Sequence, residues 1–234
     1  MHNSGCIICG AELQYSNDYF EIQCNVCSKT FTSNVKCSNN HYVCDSCHQF
    51  DAVDYIENYC KNSGESDPLK LIIEIMKNPK INMHGPEHHF LVPAVLLTCY
   101  YNILNKHELL NEKIAIAKER GQKIPGGFCG FYGNCGAGVG TGIFMSIINN
   151  ATPLSKEEWR LSNLMTAKSL EQIANNGGPR CCKRDSFLAI ETAVDFVENN
   201  LNVIMPKHKV KCEFYTMNKV CIKTDCKYFT VTTR

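Results

Sequence analysis

The sequence predicts a mainly α protein: a six- or seven-helix domain with an N-terminal double zinc-knuckle module and a small C-terminal β/zinc-finger-like tail. Three observations carry this. Apolar residues recur at helical spacing from about residue 51 to 200. Cysteine makes up 16 of the 234 residues, and seven of those lie in the first 47. Strand-like runs concentrate near the end, in VKCEFY and KYFTVTT. The chain therefore divides at 1–48, 49–205 and 206–234. Hydrophobic residues at 44% and charged ones at 20% allow a core, and the formal net charge of +1 excludes a whole-surface nucleic-acid binder.

The first module rests on Cys6-Ile-Ile-Cys9 and Cys24-Asn-Val-Cys27, two tight knuckles, followed by Cys37, His41, Cys44 and Cys47. Eight ligands make two tetrahedral zinc sites, paired either sequentially or cross-braced. Structural zinc supplies on the order of 10 kcal/mol per site, enough to fold 48 residues that lack a sizeable core. Residues 1–10 show no charged and apolar export signal, and the most apolar run, residues 90–104, is short and holds Pro93 and Asn102. A cytoplasmic chain without a membrane span is expected, and in a reducing compartment dense cysteine reads as metal ligation rather than disulfides.

In the middle domain, DAVDYIENYC places Val53, Ile56 and Cys60 on one helical face. Asp67-Pro68 opens a helix with proline at its first position, striped by Leu69, Ile72, Ile73 and Met76. Residues 92–104 are apolar all round and predict the central buried helix. Residues 109–120 are amphipathic and stop at Gly121. Ser155-Lys-Glu-Glu158 has the form of a capping box for a helix running to about Ala174, and residues 185–198 form another.

Three loops interrupt these helices. In Met83-His84-Gly-Pro-Glu87-His88-His89, the letters H-x-x-E-H match inverted zincins, but Gly85-Pro86 break the helical face that such a site needs. A ligand role for His84 and proton transfer by His88 or Glu87 are expected, against a purely structural histidine cluster. Eight of the 15 glycines fall between 126 and 142, around Cys129 and Cys135. Their spacing fits neither a dinucleotide fingerprint nor a phosphate loop. Gly136/Gly140 and Gly138/Gly142 lie one helical turn apart, offering smooth faces for close packing. The third loop, Gly177-Gly-Pro-Arg180-Cys181-Cys182-Lys-Arg184, sets two thiols among cations, which would lower a thiol pKa and attract an anion. Cys129, Cys135 and one of Cys181/Cys182 suit a [4Fe-4S] cluster with an open iron, or a catalytic zinc completed by histidine. Cys181 is taken as the ligand and Cys182 as the reactive thiol, with Arg180 and Arg184 binding substrate.

The tail carries seven basic residues against two acidic ones from 206 to 234, a net +5. Cys212, Cys221 and Cys226 approach CCCH-finger spacing, and His208 would complete the set from upstream. Tyr215, Tyr228 and Phe229 among the lysines would suit stacking on RNA.

The segments MHGPEHHFLVPAVLLTCYYN, PGGFCGFYGNCGAGVGTGIFMSIINNATPLS and NGGPRCCKRDSFLAIETAV, with HYVCDSCH, resemble a family of uncharacterised cysteine-rich domains of anaerobic bacteria and archaea. Some of its members are joined to S-adenosylmethionine-dependent methyltransferases. The resemblance covers nearly the whole chain and implies that the 84–89, 129–135 and 180–182 segments share one site. It also suggests a methyltransferase partner, since no such segment is present here. Three functions are expected: a transferase moving sulfur or another soft group, an iron–sulfur redox partner, or a zinc-dependent adaptor for RNA or protein.

Overall fold

The computed structural model describes residues 5–6, 8–9, 11–25 and 28–230, apart from the side chains of 48–51. Cys27 lies outside the described residues. The architecture is mainly helical, with one small sheet near the N-terminus.

That sheet is an antiparallel hairpin of β1 (Leu13–Gln23) and β2 (Thr30–Cys37), in register from Leu13↔Cys37 to Gln23↔Thr30 with an irregularity between Tyr15 and Phe20. Strands were expected instead in the tail. The described tail residues hold only two 3₁₀ turns, Tyr215–Met217 and Lys223–Asp225. The physical reason is burial. Val210, Phe214 and Tyr228 drop individually into the helical core, and Phe214 and Tyr228 lie 6.5 and 5.4 Å from the Phe187 ring. The tail is thus anchored on the helices.

The helices are α1 (Asp45–Asn62), α2 (Pro68–Met76), α3 (Glu87–Ile103), α4 (His107–Gly121), α5 (Phe128–Phe131), α6 (Gly136–Ile148), α7 (Glu157–Asn175) and α8 (Cys182–Leu201). Asp67 caps α2 through the amides of Leu69 and Lys70, with Pro68 at the first position as expected. The capping box at Ser155 does not form. Its hydroxyl accepts from Thr152 N at 3.0 Å, so α7 starts uncapped after Lys156. Helix α3 is central, packed against α1, α2, α4, α6 and α8, and its side chains from Phe90 to Cys99 are buried.

Helix α6 fits between α3 and α7 because glycine lets it approach both. A Cβ at Gly140 would sit 2.9 Å from Pro93 Cδ and 3.3 Å from the His89 carbonyl on α3. Pro93 has no N–H to bond that carbonyl, so the glycine face closes over a gap in the α3 ladder. On the other face, a Cβ at Gly142 would meet Thr166 and the Ser162 carbonyl of α7.

The hairpin docks over the glycine-rich turn. Asp45 Oδ2 accepts from Gly126 N at 2.8 Å, the Tyr15 and Phe131 rings are 6.3 Å apart, and Arg180 donates to the Tyr15 hydroxyl at 2.7 Å. Among the described residues no helix is long and apolar enough to cross a membrane.

Candidate metal centres

Antiparallel pairing decides which N-terminal ligands meet. Because Leu13 pairs with Cys37, the knuckle before β1 lies beside the end of β2. Cys6, Cys9, Cys37 and His41 present ligand atoms within 4.8 Å of one another. A zinc–sulfur bond of about 2.3 Å in a tetrahedron sets sulfurs about 3.8 Å apart. Cys9 and Cys37 Sγ are 3.9 Å apart, and His41 Nδ1 is 3.3 Å from Cys9 Sγ. The backbone amide of Ala11 and then His41 hold the Cys9 thiol down to about 6, as a ligand thiolate requires. At the other hairpin end Cys24, Cys44 and Cys47 form the second group, with Cys44 N donating to Cys24 Sγ at 3.3 Å. Among the described residues the ligand atoms thus group in alternation along the chain, Cys6 and Cys9 with Cys37 and His41, and Cys24 with Cys44 and Cys47.

The three inner loops line two adjoining clefts, and among the described residues no three of their cysteine and histidine ligand atoms lie within 4.8 Å of one another. Cys129 lies on α5, Cys135 is the N-cap of α6, and Cys181 and Cys182 are the N-cap and first residue of α8. Cys129, Cys135, Arg180 and Asp185 line a cleft of about 560 Å³. Across Cys129 and Arg180, a second cleft of about 480 Å³ under the hairpin is lined by His84, His89 and Cys182. Burial pushes the Cys135 thiol up to about 12, with Asp185 and then Cys129 adding to the rise. Cys182 is also pushed up by burial, which outweighs the pull of Arg180. The cation-lowered thiol expected at Cys182 is thus not found. Cys182 has Cys135 and Arg180 as electrostatic neighbours and lines the hairpin cleft, whereas Cys181, the expected ligand, lines neither cleft. Cys181 lines a separate small cavity shared with the tail.

The histidine loop divides between core and cleft. Glu87 and His88 are 0% and 1% exposed and line neither cleft, so the expected proton-transfer pair has no route to a substrate. Asn82 N donates to Glu87 Oε1 at 2.9 Å, and the carboxyl is packed against Gly85. Burial raises Glu87 to about 7 and holds His88 well below its usual range, so their 3.8 Å approach is no ion pair near neutrality. His84 and His89 face the cleft instead. His84 Nε2 lies 3.3 Å from Asn218 Oδ1, and its buried Nδ1 has no hydrogen-bond partner. Burial, then Arg180, lowers His84 to about 4. His89 was not singled out by the sequence. Its one signal is Gly136, since a Cβ there would strike the His89 ring at 2.0 Å.

Of Arg180, Lys183 and Arg184, Arg180 is the one that lines both clefts. Arg184 is 4% exposed and committed to Asp185 Oδ1 at 3.0 Å, Gly177 O at 2.7 Å and Pro179 O at 3.1 Å. It shapes the turn rather than holding substrate. Lys183 is fully buried, bonded to Ile81 O at 3.3 Å. In the tail, Cys212, Cys221 and Cys226 share a cavity whose lining does not include the exposed His208. Tyr228 is 3% exposed against Phe187, and Lys207 and Lys227 pair with Asp195 and Glu191 of α8. The expected RNA-stacking surface is therefore reduced to Tyr215 and Phe229, whose rings pack edge-on at 5.1 Å.

Fold and site together define a cysteine-rich helical domain whose thiol-lined cleft lies under a hairpin carrying two cysteine groups that could hold metal. The sequence model of a family of unknown function (DUF5714) matches residues 56–229, so the chain belongs to that family. The match takes in the helices, both inner cysteine loops and the tail cysteines, and leaves the hairpin module outside, narrower than the near-complete resemblance expected. Comparison with curated proteins gives no match, nor does comparison with solved structures.

Proposed function

We propose that this chain is a metalloprotein with two cross-braced structural zinc sites and an inner cysteine/histidine centre that handles a soft group such as sulfur or methyl. The observation that carries the inner centre is that Cys129 lines both clefts, with Cys135 in one and Cys182 and His84 in the other, and that the buried Nδ1 of His84 lacks a partner. A buried nitrogen without a hydrogen bond costs free energy unless it serves a ligand. Three soft thiols with one imidazole suit an iron–sulfur cluster or a zinc ion, either of which supplies Lewis acidity to a soft ligand.

The chain's own groups supply the remainder. Arg180, held by the Tyr15 hydroxyl, faces both clefts and binds the anionic part of a substrate. His89 Nδ1 bonds the Ile124 carbonyl at 3.0 Å, which leaves Nε2 as the basic nitrogen. His89 thereby takes the proton-handling role that His88 cannot reach. The hairpin shields the cleft from water. The link to methyl transfer suggested by the resemblance would run through a separate methyltransferase.

The test is anaerobic purification with iron, zinc and sulfide analysis. Cys135→Ala and Cys182→Ala should each remove the inner metal while leaving the N-terminal zinc in place. Metal content unchanged by both substitutions would overturn the inner centre.

A further inference from the structure

The tail cysteines have a fourth partner that linear spacing hides. Cys212, Cys221 and Cys226 line a small cavity against α8, and Cys181, at the N-cap of that helix, lines it too. Two of these sulfurs already accept amide hydrogen bonds from two residues on, Phe214 N to Cys212 and Lys223 N to Cys221, each at 3.4 Å. Such amides stabilise thiolates in metal knuckles. The charges nearby fit as well. Lys183 is fully buried with Cys181 and Cys212 among its electrostatic neighbours, and Arg184 lines the same cavity. Four thiolates on a divalent ion carry a net charge of about −2, and buried Lys183 beside them offsets part of it, Arg184 being already paired with Asp185.

We infer that Cys181, Cys212, Cys221 and Cys226 form a four-thiolate site for a thiophilic metal centre, which ties the tail to the start of α8. His208, exposed and outside the cavity, is not a ligand. The site is independent of the inner centre, which uses Cys182 from the same dipeptide. Adjacent cysteines cannot easily share one ion, and here consecutive residues at a helix start point into different cavities. No three of these four sulfurs lie within 4.8 Å of one another, whereas the N-terminal groups do. One zinc ion would draw them in to about 3.8 Å, while a cubane, with a cysteine on each of four irons, holds them wider.

The deciding experiment is thiol footprinting of the intact protein, purified anaerobically and alkylated with iodoacetamide before and after chelation. Cys181, Cys212, Cys221 and Cys226 should be protected together and become reactive together, as zinc or as iron with sulfide leaves; which of these leaves identifies the centre. Cys181→Ser should lose one metal site and unmask the three tail thiols, while Cys135→Ala leaves them protected and His208→Ala changes nothing. Whether or not Cys181→Ser folds, the unmodified protein decides. Tail thiols protected by metal while Cys181 reacts freely would overturn the assignment, as would all four reacting before chelation, or loss of tail metal in His208→Ala.

Discussion

A carboxyl group cut off from solvent, as at Glu87, gains affinity for its proton as the chain folds, even with its own amide and Asn82 donating to it. Burial raises it from 4.5 to about 7, although Lys183 pulls the other way. The unfolded chain gives up this proton first, so between pH 4.5 and 7 the folded state binds more protons. The stabilisation is complete below 4.5 and is lost as pH rises towards 7. The shift corresponds to about 3 kcal/mol. Glu87→Gln keeps the acceptor for Asn82 N and removes the titration. Urea unfolding at pH 5 and 7.5 should show the gap between variant and wild type moving by about that amount in the variant's favour at the higher pH. Comparing the two proteins cancels zinc loss, which acts on both. An unchanged gap would mean that Glu87 is ionised without penalty. The sequence marked this loop as chemically unusual but not which members face inward. That depends on where α3 starts, and a start at Glu87 sends residues 87 and 88 into the core while 84 and 89 reach the cleft.

Close approach of helices is the next scale, and glycine spacing made it readable. The turn-by-turn repeat from Gly136 to Gly142 predicted two smooth faces, and α6 uses both. Gly140→Ala forces a methyl to 2.9 Å from the rigid Pro93 ring and 3.3 Å from a backbone carbonyl. Overpacking costs about 1–3 kcal/mol, against roughly 1 kcal/mol gained in helix propensity. The melting temperature should therefore fall, whereas Gly130→Ala, with nothing within 4 Å of its Cβ, should leave it unchanged or raise it. Equal effects at both positions would show that packing against α3 is not the constraint. Other elements were illegible for identifiable reasons. The hairpin is solvated on both faces, so β1 lacks the apolar alternation that announces a strand. The tail does alternate, yet its apolar side chains are spent one at a time on the core. Ser155 had the right spacing for a cap and bonded Thr152 instead.

At the scale of the whole molecule, two kinds of cohesion meet. The helical domain has a continuous core of aliphatic and aromatic side chains. The hairpin module has none: among its described residues from 5 to 44, the buried ones are Cys6, Cys24, Ser33, Cys37 and Cys44. Sulfur stands where a core would be, so under the proposed zinc sites the module's fold would depend on its metal ions in a way the helices do not. The contacts joining the two include Tyr15 with Phe131 and Arg180, Tyr19 with Tyr132 and Asp45 with Gly126, and both hairpin tyrosines remain about half exposed. Chelation of zinc should thus unfold the module locally. Hydrogen exchange should show β1 and β2 losing protection while α3 and α8 keep theirs, with Tyr15 leaving Arg180 and the cleft opening on that side. Far-UV circular dichroism should retain its helical signal. If α3 lost protection together with β1 instead, the hairpin and helices would be one cooperative unit, and the module would be part of the fold rather than a metal-dependent roof over the cleft.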